Sequence, residues 1–159
     1  MSKRLWVSFL FVCVVFFSMS PSFAVDIPQL SKNSEGKLAR LPIQFNGRVK
    51  PFESFARETL EIVTGSPSIG NRSSVLTVFH MIAYPEKWEN EPILSVPYRP
   101  LRKELGLSQK QTHISYQGLF AAGFMKRLPP IVAKEQASEK LTFLEQETMD
   151  LYNRFTVLH

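Results

Sequence analysis

The chain has 159 residues, a net charge of +5 at pH 7 and one cysteine, Cys13. Because Cys13 lies inside an apolar N-terminal run, the sequence beyond residue 24 excludes disulfides, thiol redox chemistry and covalent Cys-x-x-Cys-His haem attachment. The mild positive charge is spread along the chain without a dense basic block, so it does not predict binding to nucleic acid.

The first 24 residues have the layout of a secretory signal peptide. Lys3 and Arg4 form a positive start, an apolar run covers Leu5–Phe17, and small residues near Ala24 fit a cleavage site. This run is shorter than the ~20 residues that span a bilayer, so a permanent anchor is the weaker alternative. We therefore predict that residues 1–24 are a signal peptide and that the protein is exported to the periplasm, either free or associated with the cytoplasmic membrane.

The next segment, residues 25–37, is polar and is predicted to be a flexible lead-in. We predict a small helical domain over residues 38–130, which begins with a β-hairpin. The alternating stretch LARLPIQF supplies one strand, RVKPF supplies the other, and Asn46-Gly47 favours the two-residue turn between them. A helix is predicted to begin near Glu53 or Ser54 and to end at Gly65.

Further helices are predicted at 75–84, in YRPLRKELGL and from about Tyr116 to Leu128, with a short strand in EPILSV. Pro129-Pro130 is predicted to break the chain. Residues 131–159 then have helical periodicity, and we predict one long, poorly packed C-terminal helix. Its abrupt apolar end predicts that the native chain continues or that the reading frame is truncated.

These patterns predict a mainly α-helical fold with a short N-terminal β-hairpin and a long C-terminal helix. Apolar spacing selects nine residues for the predicted core: Phe52, Phe55, Leu60, Val78, Phe79, Ile82, Leu119, Phe120 and Phe124.

The sequence holds no catalytic motif that we recognise, and enzymatic activity is not predicted. His80, His113 and His159 are too widely spaced for a sequence-local metal site, and no cofactor is predicted. His80 is predicted to be a partly buried core histidine, with an axial haem or metal ligand as the lesser alternative. Trp88 is predicted to be a loop residue that fills the core.

Residues 41–65, LPIQFNGRVKPFESFARETLEIVTG, resemble a segment near the exported N-terminal part of cytochrome c biogenesis proteins of the CcsA/ResC type. The resemblance continues loosely through YPEKWENEPILSV, LRKELGL and ISYQGLF to residue 159. The residues that match the first block are Leu41, Pro42, Gln44, Gly47, Arg48, Lys50, Pro51, Phe52, Phe55, Ala56, Arg57, Glu58, Leu60, Thr64 and Gly65.

This resemblance implies a non-catalytic periplasmic domain or fragment of a haem delivery and assembly complex. Its implied partners are membrane-embedded cytochrome c assembly proteins, with contact to the membrane surface as a further option. The family's multi-pass membrane helices, tryptophan-rich segment and haem-ligating histidines have no counterpart in this sequence, so no catalytic residue carries over. A free-standing periplasmic adaptor or ligand-binding protein unrelated to haem is the alternative.

Three cations in the 41–65 block are the residues predicted to bind a partner: Arg48, Lys50 and Arg57. A hairpin packed on a helix does not need three cations to fold. Lipid headgroups, haem propionates or an acidic protein surface would each attract them.

Overall fold

The computed structural model describes residues 25–45 and 47–157. The predictions for the signal peptide at 1–24, for Asn46 in the turn and for Leu158 and His159 therefore lie outside the described residues. Over the described ranges the protein is mainly helical, with an antiparallel hairpin near the N-terminus and a C-terminal helix, which confirms the predicted fold class. None of the helices in these ranges combines the length and the apolar character that crossing a membrane requires.

Seven helices and four short strands follow one another along the described chain. They are α1 (Lys32–Ala39), β1 (Pro42–Phe45), β2 (Arg48–Pro51), α2 (Phe52–Thr64), α3 (Ser74–Ala83), β3 (Leu94–Ser95), α4 (Arg99–Glu104), β4 (His113–Ile114), α5 (Tyr116–Ala121), α6 (Leu128–Gln136) and α7 (Phe143–Thr156). Two 3₁₀ turns, Pro85–Lys87 and Phe124–Arg127, precede β3 and α6. Strands β1 and β2 pair antiparallel, as do β3 and β4.

The predicted hairpin and the helix after it are confirmed, but the first strand begins at Pro42 and not at Leu38, because Leu38 and Ala39 end α1. Gly47 has a φ of 74°, and Gly65, which ends α2, has a φ of 76°. Both angles lie in the left-handed region that favours glycine, which explains why these positions turn the chain. Phe55 of α2 packs against Phe45 of β1 with ring centroids 5.2 Å apart, so the helix is fixed to the hairpin.

The core is built around α2 and α3, and it confirms part of the predicted set. Phe52, Leu60, Val78, Leu119 and Phe124 are buried, and Phe55 is half-buried against them. Three predictions are wrong, because the exposed fractions are 46% for Phe79, 56% for Ile82 and 52% for Phe120.

The error on α3 has a simple physical cause. This helix is apolar on nearly every side, so its sequence does not indicate which face is buried. The buried face consists of Val75, Leu76, Thr77, Val78, His80 and Met81.

Residues 25–37 are not a flexible lead-in, and that prediction is corrected. The side chain of Ser31 accepts a hydrogen bond from the Ser34 amide and caps α1. Val25, with 7% of its surface exposed, belongs to the core cluster, and Ile27 packs against that cluster. The segment is therefore held by a helix cap at one point and by apolar burial at two others.

The region 116–136 also differs from the prediction. The helix that begins at Tyr116 ends at Ala121, because Gly123 adopts a φ of 68° and the chain enters a 3₁₀ turn. Pro129 and Pro130 do not break the chain. They lie in the first turn of α6, where a proline loses no helical hydrogen bond.

The predicted continuous helix over residues 131–159 is wrong. Helix α6 ends at Gln136, Ser138 has a φ of 57°, and α7 begins only at Phe143. Helix α7 does not project from the domain either, because Leu151 has no exposed surface and Arg154 Nη1 donates to Ser95 O at 3.1 Å. The C-terminal helix is thus part of the core, packed against β3.

Candidate functional site

A cleft of about 580 Å³ lies between α1, α2 and the loop that leads into α3. Helix α1 lines it with residues three or four positions apart, which share one helix face. The lining consists of Lys32, Glu35, Gly36, Ala39, Glu53, Arg57, Pro67, Ser68, Arg72, Ser73, Ser74 and Val75.

The cleft is walled by charges from three separate segments. Lys32 comes from α1, Arg57 from α2 and Arg72 from the loop before α3, and Glu35 and Glu53 line the same cleft. Three cations against two carboxylates leave a small positive excess. The first turn of α3 also reaches the wall, and the N-terminal end of a helix dipole adds positive potential there.

The Ser73 hydroxyl joins two walls of this cleft. The Ser73 hydroxyl donates to Glu35 Oε1 and at the same time accepts from the Leu76 amide, which caps α3. Ser73 therefore ties the start of α3 to α1. A second cleft of about 290 Å³ shares Glu35, Arg72 and Ser73 with the first and continues to Val25.

The cleft has groups for binding but not the arrangement of a nucleophilic catalyst. Ser74 Oγ donates to Pro67 O at 2.8 Å, so its hydroxyl is used by the backbone. In the described part of the chain no histidine lines this cleft to act as a base beside the serines. Cations and amides of this kind hold carboxylate or phosphate groups through charge-assisted hydrogen bonds.

The structure separates the three cations that the sequence analysis predicted for binding. Arg57 is exposed on the wall of the cleft. Lys50 instead forms an ion pair with Glu58 of α2, and its Nζ lies 5.4 Å from the centroid of the Phe45 ring. Arg48 is exposed at the start of β2. Within residues 25–45 and 47–157, neither Arg48 nor Arg57 forms an ion pair, and their binding roles stay predictions.

The sequence analysis did not select Lys32, Glu35, Arg72 or Ser73. Lys32 and Glu35 lie in the segment predicted to be a flexible lead-in, and Arg72 lies in a loop. A cap signal was present at Ser31, and it could have predicted α1. No local pattern relates Glu35 to Ser73, because 38 positions separate them.

Outside the cleft, His80 and Trp88 form a buried pair. Trp88 Nε1 donates to His80 Nδ1 at 3.0 Å, and the exposed fractions of the two residues are 2% and 3%. These values confirm the predicted core histidine and the predicted core-filling tryptophan. Burial, followed by the charge of Lys87, lowers the pKa of His80 below 6.5.

The described residues bring together no group of three or more His, Cys, Asp or Glu side chains that could hold a metal ion. Comparison of the chain with the models of known protein families and with curated proteins finds no match. The function is therefore inferred from the chain's own residues and from the resemblance of the 41–65 block.

Proposed function

We propose that this chain is a non-catalytic, exported domain of cytochrome c biogenesis that binds membrane-embedded assembly proteins. One observation carries the proposal. Among the residues that the structure describes, Arg48 and Arg57 are exposed without an ion pair, whereas Lys50, the third cation of the 41–65 block, is used by the fold. The charges of Arg48 and Arg57 are thus not used by an ion pair of the fold, and they can contact a partner.

The scaffold under these cations is well fixed. The Lys50–Glu58 ion pair and the contact of Phe45 with Phe55 join the hairpin to α2. A surface that is already ordered loses less conformational entropy when it binds, which favours affinity.

The residue after Arg48 in β2 is apolar and exposed, and its side chain points to the opposite face of the strand. Val49 in β2 has 73% of its surface exposed. Arginine is enriched at protein–protein interfaces, and charges at the edge of an interface accelerate association with an acidic partner. The composition of the hairpin therefore supports docking to an acidic protein surface.

Co-purification tests this proposal. The tagged full chain is expected to bring down cytochrome c assembly proteins from solubilised membranes. The Arg48→Ala and Arg57→Ala variants are expected to bring down less, because each removes an exposed cation of the binding surface. Lys103→Ala on α4 is the matched control, since Lys103 is exposed and lies outside the 41–65 block. Normal levels of haem-stained c-type cytochromes in a deletion strain without a second copy of the gene would contradict the proposal.

The cleft favours a second candidate function, a free-standing periplasmic adaptor or ligand-binding protein. Arg57 lines the cleft and Arg48 does not, so the two variants separate the candidates. If the cleft binds a small anion, thermal stabilisation of the chain by dicarboxylates or phosphate is lost in Arg57→Ala and retained in Arg48→Ala. If the hairpin docks to a protein, both variants lose partner binding and small anions stabilise neither of them.

A further inference from the structure

The stretch between α3 and β3 ends at Ile93, which has 1% of its surface exposed. The residues before it, 84–92, have one buried side chain, that of Trp88, and we name them the Trp88 segment. Two side-chain hydrogen bonds hold this segment to the rest of the protein: the bond from Trp88 to His80, and one of 2.8 Å from Gln117 Nε2 to Glu89 Oε2. The Tyr84 ring also stacks on His80, and the Gln117 amide donates to Glu89 O at 3.0 Å. The remaining side chains of the segment are exposed or half-buried, so Trp88 anchors it in the core between α3 and the buried Ile93.

This hydrogen bond can form in only one protonation state of His80. The indole N–H can only donate, so Nδ1 of His80 must carry a lone pair to accept it. A neutral ring meets that condition with its proton on Nε2. A protonated ring has an N–H on both nitrogens, and two donors would then point at each other in a buried site.

We propose that the His80–Trp88 bond is a pH-sensitive latch, in which neutral His80 holds the Trp88 segment on the core and protonation of His80 releases it. Release exposes the Trp88 ring and uncovers the C-terminal end of α3. The bond between Gln117 and Glu89 keeps the segment attached to α5 while Trp88 leaves.

The charges around His80 come from three places. Lys87 in the Trp88 segment and Arg72 in the loop before α3 oppose protonation, and Glu86 and Asp26 favour it. Burial is the largest influence and also opposes protonation, so the pKa of His80 in the closed state lies below 6.5. Tyr84, stacked on His80 with centroids 4.9 Å apart, adds no charge at neutral pH.

The sign of the pH effect follows from this lowered pKa. A released His80 in water has the higher pKa, so the open form binds the proton first. The stability that this bond gives to the closed form is therefore complete above pH 6.5 and is lost as the pH falls from 6.5 to the pKa of the closed state. Between the two pKa values, the ratio of open to closed forms rises about tenfold for each pH unit.

Fluorescence of the full chain carrying Trp6→Phe tests the latch, because Trp88 is then the only tryptophan. From about pH 7.5 to about pH 5, the Trp88 emission is expected to shift to the red in a one-proton step, the range in which histidines titrate. Far-ultraviolet circular dichroism should stay constant, since release is local. His80→Asn supplies an uncharged acceptor near Nδ1 and should abolish the step, whereas His113→Asn should retain it.

A second measurement does not depend on the folding of the His80 variant. The ring protons of His80, followed by NMR, should titrate below pH 6.5 in the parent and at a higher pH in Trp88→Phe, which lacks the donor. The proposal is overturned if His80 titrates at or above 6.5 in the parent. It is equally overturned if the emission does not change, or if the same step persists in His80→Asn.

Discussion

Lys134, near the end of α6, donates from Nζ to Glu145 Oε1 at 2.6 Å, so an ion pair crosses the break between α6 and α7. The other carboxylate oxygen of Glu145 accepts from the amide and the hydroxyl of Thr142, at 2.7 and 2.9 Å. One side chain thus closes the capping box that begins α7 and also links this helix to its neighbour.

The first prediction concerns pH. The hydrogen bond from Lys134, followed by those from Thr142, lowers the pKa of Glu145 from 4.5 to about 2. The unfolded chain therefore binds more protons between these values, and the stability that Glu145 contributes is complete above pH 4.5 and lost as the pH falls towards 2. In Glu145→Gln we expect the free energy of unfolding to depend less on pH between pH 4.5 and about 2. Urea unfolding at several pH values measures this dependence.

Glu147→Gln, the same change two positions along α7, is the matched control and should leave the curve unchanged. Glu147 takes part in none of the ion pairs found among the described residues. An identical pH dependence in the Glu145 and Glu147 variants would show that the ion pair across the break contributes nothing.

The second prediction concerns the packing of α7. Leu151 has no exposed surface, so Leu151→Ala leaves a cavity and should lower the free energy of unfolding by about 2–5 kcal/mol. Ile82→Ala, at a position that is 56% exposed on α3, should change it by less than about 0.5 kcal/mol. Denaturant unfolding compares the two. A chain shortened after Glu147, which lacks Leu151 and Arg154, should not fold stably; a folded shortened chain would contradict the packing described for α7.

The third prediction compares two glycines. A Cβ at Gly65 would lie 3.3 Å from Ser95 Oγ, and the φ of 76° is costly for alanine. Gly65→Ala should therefore destabilise the protein by about 1–2 kcal/mol. Gly36 lies inside α1 with no atom within 4 Å of an added Cβ, so Gly36→Ala should stabilise it by up to about 1 kcal/mol. Opposite shifts in melting temperature are the expected result, and shifts of the same sign would contradict it.

The fourth prediction concerns Arg102, which is 6% exposed. Its Nη1 donates a hydrogen bond of 3.3 Å to Val96 O. Among the described residues, its buried Nε has no hydrogen-bond partner, and the guanidinium forms no ion pair. Arg102→Met keeps the apolar stem and removes the buried charge, so we expect it to be neutral or stabilising by about 1–4 kcal/mol. Arg102→Ala also removes the packing and should destabilise by about 2–3 kcal/mol. Calorimetry of both variants checks this order, and a loss of stability in Arg102→Met comparable to that in Arg102→Ala would refute it.

Local chemistry explains which parts of the fold could be predicted from the sequence. Gly47 and Gly65 turn the chain through their own backbone angles, so the hairpin and α2 followed from a few neighbouring residues. The break before α7 also had a local signal, since Thr142 and Glu145 form the T-x-x-E pattern of a capping box. Apolar spacing across residues 131–159 concealed that signal, and a continuous helix was predicted instead.

The candidate site was predictable only in part, because tertiary packing assembles it. Arg57 could be selected from its own block. Lys32 and Arg72 reach the same cleft from segments that no short pattern connects to α2. The partial exposure of Phe79 has the same origin, since the side of an all-apolar helix that becomes buried depends on what packs against it.

The hydrogen bond from Arg154 to Ser95 spans 59 positions of sequence, whereas β1 and β2 pair across a single tight turn. Contacts between near neighbours form quickly, and distant ones wait for long loops to close. During synthesis, the hairpin, α2 and α3 can thus assemble while the C-terminal end is still absent. We expect α7 to close over β3 last, so that amides of β3 gain protection from hydrogen exchange later than those of α2 in a pulse-labelling experiment. A chain held up before residue 143 would expose the apolar surface that α7 normally covers, and it would need a chaperone until that helix arrives.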